Sequence, residues 1–318
     1  MPKHCTHLNA AGLSVTCLLG LALGLQGEAQ ADSGKLLLTG GVSTVEAAAG
    51  GGIVPWAVIG TQATDGEIGL SANLNHLATH DYGLKTYGLT LNLRNQIELS
   101  VGQQDLSAGP ATALNALGFD VQPGPHLKMD VLGAKLRLAG DAILDSDTWM
   151  PQVTVGLQYK HTQAGSLQPV FNFLGVRNSG TDVYASATKL WLAQGLLFNA
   201  TLRYTQANQG GLLGFGAAAP GRNSASLNPE LSVAYLLRKD LAMGAEYRFM
   251  PNNLEAVGRA AGLGNALRQD DWKDLFVAWA PQRHVSLTAA YVDLGRIVPG
   301  VTGQRRQRGW YLSGQISY

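Results

Sequence analysis

Charge is scarce in this chain. Asp, Glu, Lys and Arg together make up 14% of its 318 residues, against about 25% in an ordinary globular protein. The 23 basic and 22 acidic residues leave a formal net charge of +1. That gives no basic surplus of the kind that displaces counterions from nucleic acid, so no nucleic-acid partner is expected. Cysteine is nearly absent: Cys5 and Cys17 both lie in the first 31 residues, so the remainder has no disulfide framework and must be held by packing and backbone pairing. Long apolar runs are missing too. The best candidate beyond residue 31, at 36–59, is interrupted by Glu46, several glycines and Pro55, which excludes a helical inner-membrane protein. What the chain has in excess is glycine, 40 residues, where about 7% is usual. An apolar share of 46% excludes a disordered chain.

The N-terminus reads as an address. Lys3, His4 and His7 precede an apolar stretch at 10–25, and Ala29-Gln30-Ala31 places small residues at −3 and −1. This is the layout of a secretory signal peptide, 1–31, cut after Ala31.

Beyond it the chain alternates with a period of two. Val153, Val155, Leu157 and Tyr159 alternate with Thr154, Gly156, Gln158 and Lys160; Phe198, Ala200, Leu202 and Tyr204 alternate with Asn199, Thr201 and Arg203. Trp310, Leu312, Gly314, Ile316 and Tyr318 do the same against Tyr311, Ser313, Gln315 and Ser317. Each run has about the 9–12 residues that a tilted strand needs to cross a bilayer. Sandwich strands also alternate, so three further features decide. The polar phase carries ionisable groups deep in the runs: Glu98, Lys135, Arg137, Lys160, Arg203, Glu246, Arg248 and Asp274. The connections alternate between short (94–95, 193–194, 238–240, 281–283) and long (107–125, 162–180, 208–227, 251–269, 294–306). Aromatic residues fall at two heights: Tyr159, Tyr204, Tyr247, Tyr291 and Trp310 at the long-loop end, and Trp191, Trp279 and Tyr318 at the short-turn end. A wet lumen, tight periplasmic turns with long extracellular loops, and two interfacial belts are the marks of an outer-membrane barrel.

The expected fold is therefore all-β, a transmembrane antiparallel β-barrel of 12–14 strands over 66–318, in the outer membrane of a Gram-negative envelope. Twelve strands are expected at 66–76, 82–93, 95–105, 127–139, 150–161, 181–191, 195–206, 228–237, 240–249, 271–280, 284–293 and 308–318. The N-terminal segment 32–65 is either a further strand pair, at 35–42 and 53–60, or a plug inside the lumen.

Four blocks, KLLLTGGVSTVEAAAGGGIVPWAVIG (35–60), SGTDVYASATKLWLAQGLLFNATLRYTQANQGGLLGFG (179–216), DLFVAWAPQRHVSLTAAYVDLGRIV (274–298) and the terminal QRGWYLSGQISY, carry a likeness over nearly the whole exported chain. With them it resembles a family of uncharacterised proteobacterial outer-membrane β-barrel proteins, a domain of unknown function. The resemblance implies location and fold, and brings no activity or ligand residues. The last segment also resembles the C-terminal signal read by the barrel-assembly machinery, although Tyr318 replaces the commoner Phe and Gly314 stands one residue late.

Motifs for chemistry are weak. His76 and His80 with Asp81 have helical metal spacing, but four residues along a strand separate side chains by about 13 Å, so no metal site is expected. Ser286 follows His284 by two, without an acid or a nucleophile elbow. GLLGFG at 211–216 lacks the Lys-Ser/Thr of a phosphate loop. Neither catalytic residues nor a cofactor is expected. The lumen charges would set the selectivity of an open pore, or fill a closed one with salt bridges. Arg177, Arg222, Arg259, Arg268, Arg305, Arg306 and Arg308 in the outer loops are solvated or pair with lipopolysaccharide phosphates. The function expected is a passive channel for an unidentified small solute. A closed barrel binding a partner through its loops is the alternative, and a membrane hydrolase a remote one.

Overall fold

The structure, a computed structural model, describes residues 35–38, 40, 42–143 and 148–318. The expected signal peptide and both cysteines lie outside them. The strands are β1 (Ile68–Thr79), β2 (Gly83–Leu93), β3 (Ile97–Ser107), β4 (His126–Ala139), β5 (Gln152–Gln163), β6 (Ser179–Trp191), β7 (Leu196–Thr205), β8 (Ser226–Arg238), β9 (Leu241–Arg248), β10 (Trp272–Gln282), β11 (Val285–Asp293) and β12 (Arg308–Ser317). Each pairs antiparallel with its sequence neighbours, and β1 pairs with β12, from Ser71↔Ser317 to Thr79↔Gly309. The barrel is closed, so no strand edge is left with unpaired backbone groups.

Alternation becomes two faces. In β5, Val155, Leu157 and Tyr159 are exposed on the outside while Thr154, Gln158 and Lys160 are buried within. The outer face is apolar all the way round, for example Leu74, Leu132, Val183, Leu231, Leu275 and Leu312. Water would make so continuous a belt costly, and a hydrocarbon layer makes it favourable. Leu157→Arg, at the middle of this belt, is expected to cost about 2–4 kcal/mol of barrel stability. Urea unfolding in detergent micelles measures it, and an unchanged midpoint would contradict the lipid-facing assignment.

The turn between β2 and β3 places Arg94 (φ 55°) and Asn95 (φ 51°) in the left-handed region, which matches the twist of a tight hairpin. Asn92 Oδ1 accepts from the Asn95 amide at 2.8 Å and secures it. Long loops leave the opposite end of the barrel, as the sequence predicts.

The fourteen-strand alternative does not hold. Among the described residues, those of 35–42 and 53–60 join no ladder, and the N-terminal segment makes only the isolated bridges Ser43↔Ala49 and Gly50↔Pro55 with itself. Pro55 has no amide hydrogen to pair. The amides of Ile53, Val54 and Ala57 donate to side chains of the barrel wall and that of Trp56 to the Ala49 carbonyl, so none of them pairs with a barrel strand. Residues 42–63 are buried throughout and contact inward-facing side chains around the barrel. Gly88 and Gly102, opposite each other on β2 and β3, form a dent that receives Ala47. A Cβ on Gly88 would lie 2.7 Å from Ala47 Cβ, and one on Gly102 3.0 Å from it. Part of the glycine excess is therefore space for this segment.

Candidate functional site

Three charged contacts and a ring of neutral polar ones hold residues 42–63 inside the wall. On β3 and β4, Glu98 accepts from the amides of Ala49 (3.2 Å) and Gly60 (2.7 Å), and Lys135 donates to the Val58 carbonyl (3.0 Å) and to Glu98 (3.1 Å). On β9, Glu246 accepts from the amides of Ile53 (2.8 Å) and Val54 (3.3 Å), from Trp56 Nε1 (3.2 Å) and from the Ser232 hydroxyl (2.8 Å).

The third contact reverses the polarity. Lys160 on β5 and Arg248 on β9 donate to Glu46 Oε1 at 2.8 and 3.1 Å, and Arg203 on β7 lies 3.4 Å from Oε2. Two wall carboxylates complete the cluster. Asp182 sits 2.7 Å from Lys160 and 3.4 Å from Arg203, while Glu230 sits 2.6 Å from Arg203 and 3.1 Å from Arg248. All six side chains are almost fully buried, so the wall contributes three cations and two anions and the N-terminal segment supplies the third anion. Arg203 also lies 5.2 Å over the Tyr184 ring and Arg248 5.3 Å over Trp272. Buried charges need partners of this kind to offset their desolvation.

Neutral contacts fill the gaps. Thr90 Oγ1 donates to the Ala47 carbonyl (2.8 Å), Gln104 to Val45 (2.8 Å), Gln152 to Ala57 (2.7 Å) and Thr201 to Pro55 (2.8 Å), while Thr188 accepts from the Ala57 amide (2.7 Å).

Residues 39–315 match the profile of a family described as a protein of unknown function, DUF3034. The chain belongs to that family. Among curated proteins none matches this DUF3034 member in sequence. Several solved outer-membrane barrels align with it. The KdgM porin in complex with disordered oligogalacturonate aligns at 8% identity and a TM-score of 0.45, covering 78% of this chain and 99% of that one. The NanC porin aligns at 10% identity and 0.46, covering 78% and 98%. Outer membrane phospholipase A from Escherichia coli aligns at 11% and 0.37, covering 78% and 91%.

Of the charged residues singled out in the sequence, Glu98, Lys135, Lys160, Arg203, Glu246 and Arg248 meet the N-terminal segment directly. Asp274 is buried beside Glu246, its register partner, and both carboxylates border Gly52. Arg137 meets the far end of the segment, away from residues 42–63. It pairs with Asp65 (2.9 Å) and Asp141 (2.6 Å) at the short-turn end, with its side chain partly exposed. Glu46, Asp182 and Glu230 were not singled out. Asp182 and Glu230 lie in the polar phase of β6 and β8, where alternation could have found them; Glu46 lies in no periodic run.

All eight candidate interface aromatics lie on the outer face. Tyr159, Trp191, Tyr204, Trp279, Tyr291, Trp310 and Tyr318 are exposed and Tyr247 is half-buried, donating to Asp271 at 2.8 Å. Tyr291 and Trp310 pack edge to face at 5.4 Å. His284 Nδ1 donates to the Ser317 carbonyl (2.7 Å) and its ring stacks on Tyr318 at 4.8 Å, so it serves the strand junction. Among the described residues no three His, Cys, Asp or Glu side chains gather to hold a metal.

Of the outer-loop arginines, Arg259, Arg305, Arg306 and Arg308 find acids within the chain, Arg259 with Glu255, whereas Arg177 and Arg222 donate to the amide side chains of Gln206 and Asn253. Arg305 pairs with Asp81 (2.7 Å), Arg306 and Arg308 with Asp293 (3.0 Å each), and Arg296 with Asp270 (2.8 Å). Hydrogen bonds from the Arg296 guanidinium hold the Asp270 carboxyl below its usual range, outweighing the partial desolvation that pushes it up. A lowered pKa in the folded state contributes stability that is present above the unfolded value, about 3.9 for Asp, and is lost as pH falls through the folded one. The pairing of loops 249–271 and 294–307 through Asp270 is therefore expected to hold from about pH 8 to about pH 5 and to weaken as pH falls below about 4, which hydrogen exchange of the loop amides across that range measures. Protection that stays unchanged across it would contradict this lock.

Proposed function

We propose that this protein is an outer-membrane channel that passes small polar solutes passively, and that residues 42–63 are a plug whose departure opens it. The supporting observation is the chemistry of the wall behind the plug. Beside buried apolar side chains such as Leu127, Met129 and Phe276, its inward rows carry many Thr, Ser, Asn, Gln and ionised side chains, among them Thr188, Thr201, Asn199 and Gln104, buried against the segment. A barrel that needed only a solid filling would be served by apolar side chains at lower desolvation cost. A wall of hydrogen-bonding groups is instead stable in both states, because water replaces the plug's donors and acceptors when it leaves.

No bond is made or broken in this reading. The purified full chain in planar bilayers is expected to show long closed periods broken by discrete openings. Arg203→Glu reverses one inward charge and is expected to shift the ion selectivity of those openings toward cations. Silence of the wild type and of variants that unseat the plug would favour the closed structural barrel instead.

A further inference from the structure

We propose that Lys160, Arg203 and Arg248 form a binding position for the carboxylate of a small acidic solute, and that Glu46 of the plug occupies it in the solute's place. The inference deepens the channel reading above and rests on it for the word solute. The binding position itself stands on geometry.

The wall cluster is unbalanced without the plug. Three cations, Lys160, Arg203 and Arg248, face two wall carboxylates, Asp182 and Glu230. Each cation contacts one or both of these acids, and each also reaches a common point, the Glu46 carboxyl group, at 2.8, 3.4 and 3.1 Å. The cations come from strands β5, β7 and β9. They therefore stay in place when the N-terminal segment moves, because the barrel ladder fixes them. Once the plug leaves, the surplus positive charge faces a narrow wet lumen and attracts an anion to it. Two guanidinium groups favour a planar, two-oxygen anion over a spherical one. Glu46 Oε2 makes no hydrogen bond of good geometry, its contact with Arg203 being an ion pair at 3.4 Å. A free carboxylate, unconstrained by the plug backbone, can turn to engage all three cations.

A void about one water in size, lined by Arg203, Glu230 and Arg248, adjoins Met250 and Pro251, at the start of an outer loop. The cluster thus lies toward the long-loop end, where a solute from outside arrives first.

The test uses chemical rescue. Thermal unfolding of the full chain in detergent is followed for the wild type, Glu46→Ala and Glu46→Gln at constant ionic strength, with added acetate, glucuronate, acetamide or sulfate in place of chloride. Both variants are expected to melt below the wild type. Acetate and glucuronate should restore the melting temperature, acetamide and sulfate should not, and adding Arg203→Met should abolish the rescue. Equal rescue by sulfate, or no rescue in either variant, would overturn the binding position. Conductance of Glu46→Gln in planar bilayers is read separately, with glucuronate expected to reduce the open current several-fold more than glucose. Rescue without any conductance would leave the carboxylate position standing and remove the channel.

Discussion

Gly88→Leu is expected to turn a mostly closed barrel into one that conducts for most of a recording. The side chain would enter the dent that Gly88 and Gly102 hold open for Ala47, and the plug cannot be seated beside it. Overpacking of a close-fitted site costs about 1–3 kcal/mol, and the part set against Ala47 falls on the seated state, while the Asn73 side chain on β1 must turn aside in both states. An energy of that size shifts a two-state equilibrium about 5- to 150-fold. The barrel ladder should hold, since the backbone pairs of Gly88 with β1 and β3 are unchanged and only the Asn73 side chain on the wall has to turn aside. Heat-modified migration on a gel gives the control: a folded barrel with an unchanged closed fraction would show that the plug does not gate.

Arg203→Met is expected to produce the largest loss of stability of any single wall substitution. Arg203 lies against Glu230, Asp182 and Glu46 at once, with almost none of its side chain exposed. Removing it leaves Glu230 and Glu46 with fewer cations in a buried cluster, and breaking such a pair costs about 3–5 kcal/mol. Urea unfolding measures the loss. The double variant Arg203→Met, Glu230→Gln should recover a large part of it, because the orphaned charge goes too. A midpoint equal to the wild type would mean that water reaches the cluster and screens it.

Much of the architecture was legible because a bilayer-spanning barrel imposes a period of two on each crossing. Strands fall within a few residues of their expected limits: β6 runs Ser179–Trp191 where alternation marks 181–191, and β11 Val285–Asp293 where it marks 284–293. Period two reports which face a residue takes, so Lys160, Arg203 and Glu246 were readable as inward. It does not report what lies opposite. Glu46 sits among alanines with no repeat around it, and its role arises from contacts with residues 114 and 202 positions away in sequence. The segment 42–63 satisfies its backbone through wall side chains such as Glu98 and Glu246, and pairing of that kind leaves no periodic trace. The outer-loop arginines show the same limit. Arg305 meets Asp81 across 224 residues because β1 closes on β12, a neighbourhood that exists only in the completed ring.

The central claim is that residues 42–63 block the path and must move for solute to pass. A cysteine pair at Ala47 and Gly102 tests it directly in a chain whose described residues contain no other cysteine. The Cβ positions are about 3.0 Å apart and need open only a few tenths of an ångström to reach the roughly 3.5–4.5 Å of a disulfide. Single-channel recording before and after reduction then gives the answer. The account predicts silence while the disulfide is intact and discrete openings once it is reduced. Equal conductance in the two states would contradict it.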